Sequence, residues 1–296
     1  MVLCSFTVPV QTIVNHFVDR LKASVPDGVM VVDSAKVPVL KFVYHSFPVD
    51  IVLVSVVAPS APSETEMLSN DFLDRIVIES RGNVNGIRTV LQIRRLVPTP
   101  LPVFSVVLKA VKLWARARRV YGHLFTYPNG VALAIMVSRV CQVCPSSQIS
   151  DLFKFFFKFY FSWFSKTDHI YPVYITPSLA TGQQRYAGMP SSFDPTNPRC
   201  QEDVLPVINP AFPYVNACHT VGKSGLRCFY MELSRAHSIL LQETDSLAVR
   251  SLMQPIELSA IPFFLLVHVP CYCRGLAECE WNLKLWKGFV ESKFRF

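Results

Sequence analysis

No uninterrupted apolar run in the 296 residues reaches the roughly 20 that a bilayer-spanning helix needs. The nearest approach, Phe153 to Phe164, holds seven phenylalanines with Tyr160 and Trp163, but Lys154 and Lys158 interrupt it one helical turn apart. That spacing predicts a buried amphipathic helix, not a membrane segment. The opening MVLCSFTVPVQTIVNHF lacks a basic leader and a clear cleavage pattern, so no secretory signal is read. The nine cysteines are odd in number and lack the even framework of a small secreted scaffold, which points to a reducing compartment. Cys141-x-x-Cys144 has no second pair at finger-like spacing, and Val140, Val143 and Pro145 around it describe the end of an apolar helix, so no zinc site is expected. Internal repeats and a low-complexity tail are also missing. The expectation is a soluble, intracellular chain with no membrane partner.

What the sequence does contain is core material and positive charge. Hydrophobic residues make up 51%, enough for two ordinary domains or one large one. Lysine and arginine number 29 against 21 acidic residues, a net charge of +8 that favours polyanionic partners such as nucleic acid or nucleotide phosphates.

Ile13, Val14, Phe17, Val18 and Leu21 recur at helical spacing within 11–22, and Pro26-Asp27-Gly28 then breaks the chain. β-Branched runs at 29–32, 37–44 and 49–57 predict strands, with Pro38 and Pro48 confined to strand starts or edges. The Pro, Ser and Glu content of 59–70 predicts a loop, after which the pattern is helical for over a hundred residues. A helix over 102–121 carries Val103, Val106, Val107, Ala110, Val111 and Trp114 on an apolar stripe, with Lys109, Lys112, Arg116 and Arg119 largely opposite and Gly122 as its stop. Residues 131–143 are apolar nearly all round, as a core helix would be. The Pro, Tyr, Asn and Ser content of 171–216 predicts an irregular but ordered excursion. A strand at 263–269 and a helix from Trp281 to Lys293 close the chain.

Asp50 interrupts the strand-like Val49-Asp50-Ile51-Val52-Leu53-Val54, where alternation sends its carboxylate to the face opposite Val49 and Ile51. A charge there needs a partner. It is either a surface or salt-bridged aspartate, or a ligand for magnesium, which prefers carboxylate oxygens.

Val37-Pro-Val-Leu-Lys-Phe42 with Val49-Asp50-Ile51 resembles the strand pair that carries the third catalytic aspartate of eukaryotic nuclear, mRNA-type poly(A) polymerases. The likeness continues in order through Asn85-Gly86-Ile87-Arg88, Leu96-Val97-Pro98, the segment 108–115, Arg119-Val-Tyr121, Gly130-Val131, the segment 206–213 and Trp286 to Lys293. Each motif is weak alone; the ordered set is specific, and only much of 59–80 and 166–200 matches poorly. The resemblance implies an α+β fold: a partial nucleotidyltransferase palm over 1–58, a mostly helical central domain over 59–257, and the start of an RRM-like domain over 258–296. It also implies attack of an RNA 3′-hydroxyl on the α-phosphorus of ATP, with two Mg2+ or Mn2+ ions held by three aspartates. RNA 3′ ends, ATP and mRNA 3′-processing factors would be the partners, and the nucleus the compartment.

By that resemblance Asp50 is the catalytic and metal-binding aspartate, Asn85 lies by the ATP sugar, Lys112 and Tyr121 hydrogen-bond the triphosphate, and Gly130 and Val131 lie beside the adenine. From the residues alone, Lys112 fits equally a solvated basic face, and Asn85-Gly86 a plain turn. Arg94, Arg95, Arg116, Arg118 and Arg119 suit an RNA-facing surface or a solvated one. Some positions depart from the family pattern: His123 replaces a usual asparagine, and Thr126 and Asn129 stand where glycines are general. The first two catalytic aspartates, in a Gly-Ser followed by Asp-x-Asp, have no counterpart. Met1 to Cys4 resemble the residues directly after them, so the expectation is a sequence that starts inside the palm, leaves a sheet edge unpaired, and is inactive by itself. A non-catalytic RNA- or nucleotide-binding paralogue stays open, as does a terminal uridylyltransferase, which the likeness over Trp286 to Lys293 disfavours.

Overall fold

The computed structural model describes residues 2–5, 10–22, 25, 29–32, 39–57, 60–165, 171–177, 187–242 and 245–256, with isolated positions 275 and 279. The chain forms two compact units, one of residues 1–95, 179–193 and 209–215, the other of 96–178, 194–208 and 216–296. The break expected at 26–28, the strand at 263–269 and the helix at 281–293 lie outside the described residues.

The first unit is built on a four-stranded sheet in the order β1-β4-β3-β2, where β1 is Val2–Ser5, β2 Met30–Val32, β3 Val39–Tyr44 and β4 Phe47–Val56. β1 runs parallel to β4, with Val2 opposite Leu53, and the other pairings are antiparallel. His45 and Ser46 both have positive φ (46° and 67°), which matches the strand twist at a two-residue turn and closes the β3–β4 hairpin without glycine. The helix α1, Val10–Lys22, buries Val18 against Leu40 and Leu53 on one side of the sheet. On the other side Val54 and Val56 pack with Phe72, Leu73, Ile76 and Val84. The second half of β4 is therefore covered on both faces, and this is why residues 51–54 read as a continuous apolar run.

Residues 59–70 are not all loop. Ser63 accepts from the Glu66 amide at 3.2 Å while Glu66 accepts from the Ser63 amide at 2.8 Å, a capping box that starts a short helix α2, Glu64–Leu68. Two 3-10 segments follow, Asp71–Arg75 and Ile78–Val84, before α3, Asn85–Leu96. Arg88 on α3 is 1% exposed and donates to the carbonyls of Met67, Leu68, Ser69 and Phe212 and to Asn70 Oδ1. Those acceptors satisfy a buried guanidinium that would otherwise be costly.

The second unit is helical: α4 Leu101–Ala117, α5 Gly130–Val143, α6 Ile149–Ser165, a short α7 Pro198–Gln201, α8 Lys223–Gln242 and α9 Asp245–Met253. The buried stripe of α4 is Phe104, Val107, Val111, Trp114 and Ala115, one step round from the stripe expected, and Val106 is exposed. Trp114 sets the register, its ring edge-on to Phe157 at 4.9 Å and packed against Phe156 and Phe229. Eight residues of α5 are buried, as an all-round apolar helix requires. On α6 the buried residues are Leu152, Phe153, Phe156, Phe157 and Tyr160. Among the described residues no single helix is long and apolar enough to cross a membrane. Arg118 is not a surface arginine: it grips Glu232 of α8 in a two-pronged pair at 2.8 and 2.9 Å and donates to the Gln254 carbonyl at 2.7 Å. The described part of 171–208 and 216 is ordered by backbone bonds of Val173 to Pro206 and Ile208, and by Asn216, whose Oδ1 accepts from the Val207 and Cys218 amides.

Candidate nucleotide site

The site of interest in the second unit begins where α4 ends. The Arg119 amide bonds the Arg116 carbonyl at 3.1 Å and the Val120 amide bonds the Ala115 carbonyl at 2.8 Å, with Arg119 itself left-handed at φ 55°. This pattern of paired C-terminal bonds ends the helix at Ala117, before the Gly122 stop expected, and buries Val120 beneath it. The chain then turns at Gly122 (φ 108°), whose carbonyl accepts from the Phe125 and Tyr127 amides. Thr126 is left-handed at φ 61°, which accounts physically for a general glycine there. Asn129 caps α5 by accepting from the Val131 and Ala132 amides, a task a glycine side chain cannot perform.

This path folds Tyr121 and Lys112 onto the start of α5. A Cβ placed on Gly130 would lie 2.9 Å from the Tyr121 hydroxyl and 3.3 Å from Lys112 Nζ. The absence of a side chain at Gly130 therefore lets an ammonium and a phenol meet at the first residue of a 14-residue helix, whose positive end adds to the field there. Lys112 and Tyr121 are half-buried, whereas Lys109 one turn earlier is exposed. Val131 beside them is 45% exposed and offers an apolar surface. The Arg116 guanidinium lies over the Tyr121 ring, 4.9 Å from its centroid. A cavity of about 570 Å³ opens at Tyr121 and is lined also by Arg119, Phe125, Thr126, Tyr127, Ser224, Gly225 and Cys228. Burial, and then the adjoining Cys228, push the Tyr127 phenol up to about 12, so it stays a neutral donor. His123 is exposed.

The first unit holds the other two candidates. Asp50 is exposed on β4, opposite Lys41 in the β3 register, and pairs with its ammonium at 3.7 Å. Asn85 opens α3, and its Oδ1 is buried with no hydrogen-bond partner among the described residues. Asn83, two residues earlier, donates to the Leu53 carbonyl at 3.3 Å and ties this turn to β4. Space is open at Gly86. Lys112, Tyr121, Gly130 and Val131 thus come together within the second unit, while Asp50 and Asn85 stand in the first. Sequence reasoning missed two features here. The ring contact of Arg116 had a readable signal, since it lies one turn after Lys112 on the same face. Gly225, whose missing Cβ lets α8 seat on the Thr126 carbonyl, had none.

Cys141 lies in the last turn of α5 and Cys144 caps it, and both thiols are free. Burial raises the Cys141 thiol above its ordinary range. Among the described residues no group of three or more His, Cys, Asp or Glu side chains is placed to hold a metal ion.

The mixed sheet with α1 on one face and the helical unit that follows make up a nucleotidyltransferase-type fold with a poly(A) polymerase central domain, as the family matches show. The sequence matches the poly(A) polymerase nucleotidyltransferase domain over residues 9–97 and the poly(A) polymerase central domain over residues 103–253. The chain belongs to the poly(A) polymerase family. It is 29% identical to a poly(A) polymerase of Dictyostelium discoideum, over 90% of this chain and 31% of that protein. Against poly(A) polymerase PAPalpha of Candida albicans the identity is 30%, over 89% of this chain and 45% of the relative. Nuclear poly(A) polymerase 4 of Arabidopsis thaliana is also 30% identical, over 89% and 34%. The chain thus spans less than half the length of these curated relatives. In fold it is similar to the RNA terminal uridylyl transferase Cid1, with TM-score 0.52 and 15% identity over 86% of this chain and 79% of that one. A cytoplasmic RNA terminal U-transferase gives TM-score 0.50 and 15% identity over 86% and 80%.

Proposed function

We propose that this chain binds ATP as a polynucleotide adenylyltransferase does, in the service of adding AMP to RNA 3′ ends during mRNA polyadenylation. The convergence of Lys112 Nζ and the Tyr121 hydroxyl on Gly130, at the positive end of α5, carries this reading. An ammonium supplies a point charge for phosphate oxygens and a phenol a neutral donor, while the bare Gly130 backbone leaves room between them. Val131 supports the adenine and the cavity sharing Tyr121 has the volume of a nucleoside site. Asn85 would accept from the sugar through its orphaned Oδ1. RNA, and through it the mRNA 3′-processing factors of the nucleus, are the partners this reading implies; the +8 charge suits the first.

The family's divalent ions, Mg2+ or Mn2+, would assist attack by the RNA 3′-hydroxyl and departure of pyrophosphate. Asp50 is the carboxylate this reading assigns to them. Asp50 pairs with Lys41, and among the described residues no group of three or more His, Cys, Asp or Glu side chains joins it, so Asp50 is the one carboxylate named for the ions here.

The test is ATP titration by NMR. Lys112→Ala and Tyr121→Phe should each weaken binding about ten- to a hundredfold, the equivalent of about 1.5–3 kcal/mol for a charge-assisted contact, while exposed Lys109→Ala changes it less than about fivefold. Equal losses at Lys109 and Lys112 that vanish in modest salt would mean a diffuse basic face instead. Tighter binding of UTP than ATP would move the assignment to a uridylyltransferase.

A further inference from the structure

We propose that Arg116, which no function so far explains, is a positioning residue that holds Tyr121 in its phosphate-binding pose. The inference rests on the nucleotide reading above and extends it by one residue. Three observations carry it. Arg116 follows Lys112 by one helical turn on α4, so both lie on the same face of the helix, Arg116 in its last turn. Its guanidinium lies 4.9 Å from the Tyr121 ring centroid, within the range where the ring's negative face attracts a cation. The hydroxyl end of the same ring is set against the bare backbone of Gly130, where even a Cβ would approach to 2.9 Å. The ring is thus held over its face by one residue and limited at its tip by another. Tyr121 needs such a clamp, because it lies beyond the helix end in a segment whose turns depend on Arg119 and Gly122 at positive φ. A ring free to swing about χ1 would carry its hydroxyl away from Lys112 and spend ordering entropy at each binding event.

The alternative role for Arg116 is a direct or long-range charge acting on the phosphates. A double-mutant cycle on the full chain separates the two, with MgATP affinity read by NMR titration. If Arg116 acts through the ring, Arg116→Gln weakens MgATP binding about two- to fivefold in the parent, the scale of a solvent-exposed cation–ring contact, and has no further effect in a Tyr121→Leu background. Arg116→Lys, which keeps a cation over the ring, should retain most of the affinity. In the nucleotide-free protein, Arg116→Gln should also shift the ring resonances of Tyr121, identified by their loss in Tyr121→Leu. An equal loss from Arg116→Gln in both backgrounds, or unmoved Tyr121 resonances, overturns the positioning role and leaves the nucleotide reading standing. If Lys112→Ala and Tyr121→Leu themselves leave MgATP binding unchanged, the nucleotide reading fails and this inference fails with it.

Discussion

Gly130 is the residue on which the candidate site turns, because its lack of a side chain decides whether Lys112 and Tyr121 can share one place. The atoms that an added Cβ would meet are the tips of flexible side chains, Tyr121 Oη and Lys112 Nζ. Both can move aside without disturbing the core, so the cost falls on the site and not on the fold. Gly130→Ala should therefore leave stability unchanged or raise it by up to about 1 kcal/mol, since alanine is the better helix former. Nucleotide affinity should meanwhile fall about tenfold or more, as the ammonium and the hydroxyl separate. Thermal melting and ATP titration of the same variant check both halves, and an unchanged affinity would remove Gly130 from the site. Lys112 and Tyr121 themselves were legible only by resemblance, since a basic stripe and an aromatic at a helix end are compatible with a solvated face. What the pattern could not show is that the chain after α4 turns back so that residues 9 and 18 positions beyond Lys112 meet it.

At the scale of elements, the same substitution has the opposite consequence on α8. A Cβ on Gly225 would run into the backbone carbonyl and hydroxyl of Thr126, and a carbonyl held by its own turn cannot step aside. Gly225→Ala should cost roughly 1–3 kcal/mol in spite of its gain in helix propensity, read as a lower denaturation midpoint in urea at an unchanged m-value. A neutral or stabilising result would mean that the 123–127 turn does not seat on α8 as described. The existence of α4, α5 and α6 was readable, α4 and α6 from apolar periodicity and α5 from being apolar nearly all round, whereas α8 and α9 were not singled out. Helix ends were less readable. α4 stops on Arg119 in a left-handed conformation that usually calls for glycine, and nothing in the local sequence advertises it. α2 was advertised, by Ser63 and Glu66 three apart, but the surrounding Pro and Ser outweighed that signal. Arg118 read as a surface charge because Glu232, which neutralises it, is 114 residues away.

Over the whole molecule, the +8 charge and the catalytic chemistry of the family make separable demands. Binding a polyanion needs only cations on a surface, and its strength should fall steeply with salt, by about 0.7 in log K per log salt for each phosphate neutralised on a single strand. Phosphoryl transfer by two divalent ions needs several carboxylate oxygens at fixed positions, since each ion carries two charges and tolerates little error in its coordination. In the described residues Asp50 stands without such company. It pairs with the Lys41 ammonium at 3.7 Å, and among the described residues no group of three or more His, Cys, Asp or Glu side chains is placed to hold a metal ion. A single carboxylate can attract one ion weakly but cannot fix two at the spacing that clamps attacking and leaving oxygens. On the proposed reading the chain should bind a single-stranded RNA primer in a salt-sensitive manner, and any AMP it adds with Mg2+ or Mn2+ should depend on the Asp50 carboxylate. Primer extension on a denaturing gel, beside a filter-binding salt titration, reads both properties. Extension that disappears in Asp50→Ala would show that other carboxylates complete the metal site around Asp50. Extension that survives Asp50→Ala would mean that the metal site does not include this strand.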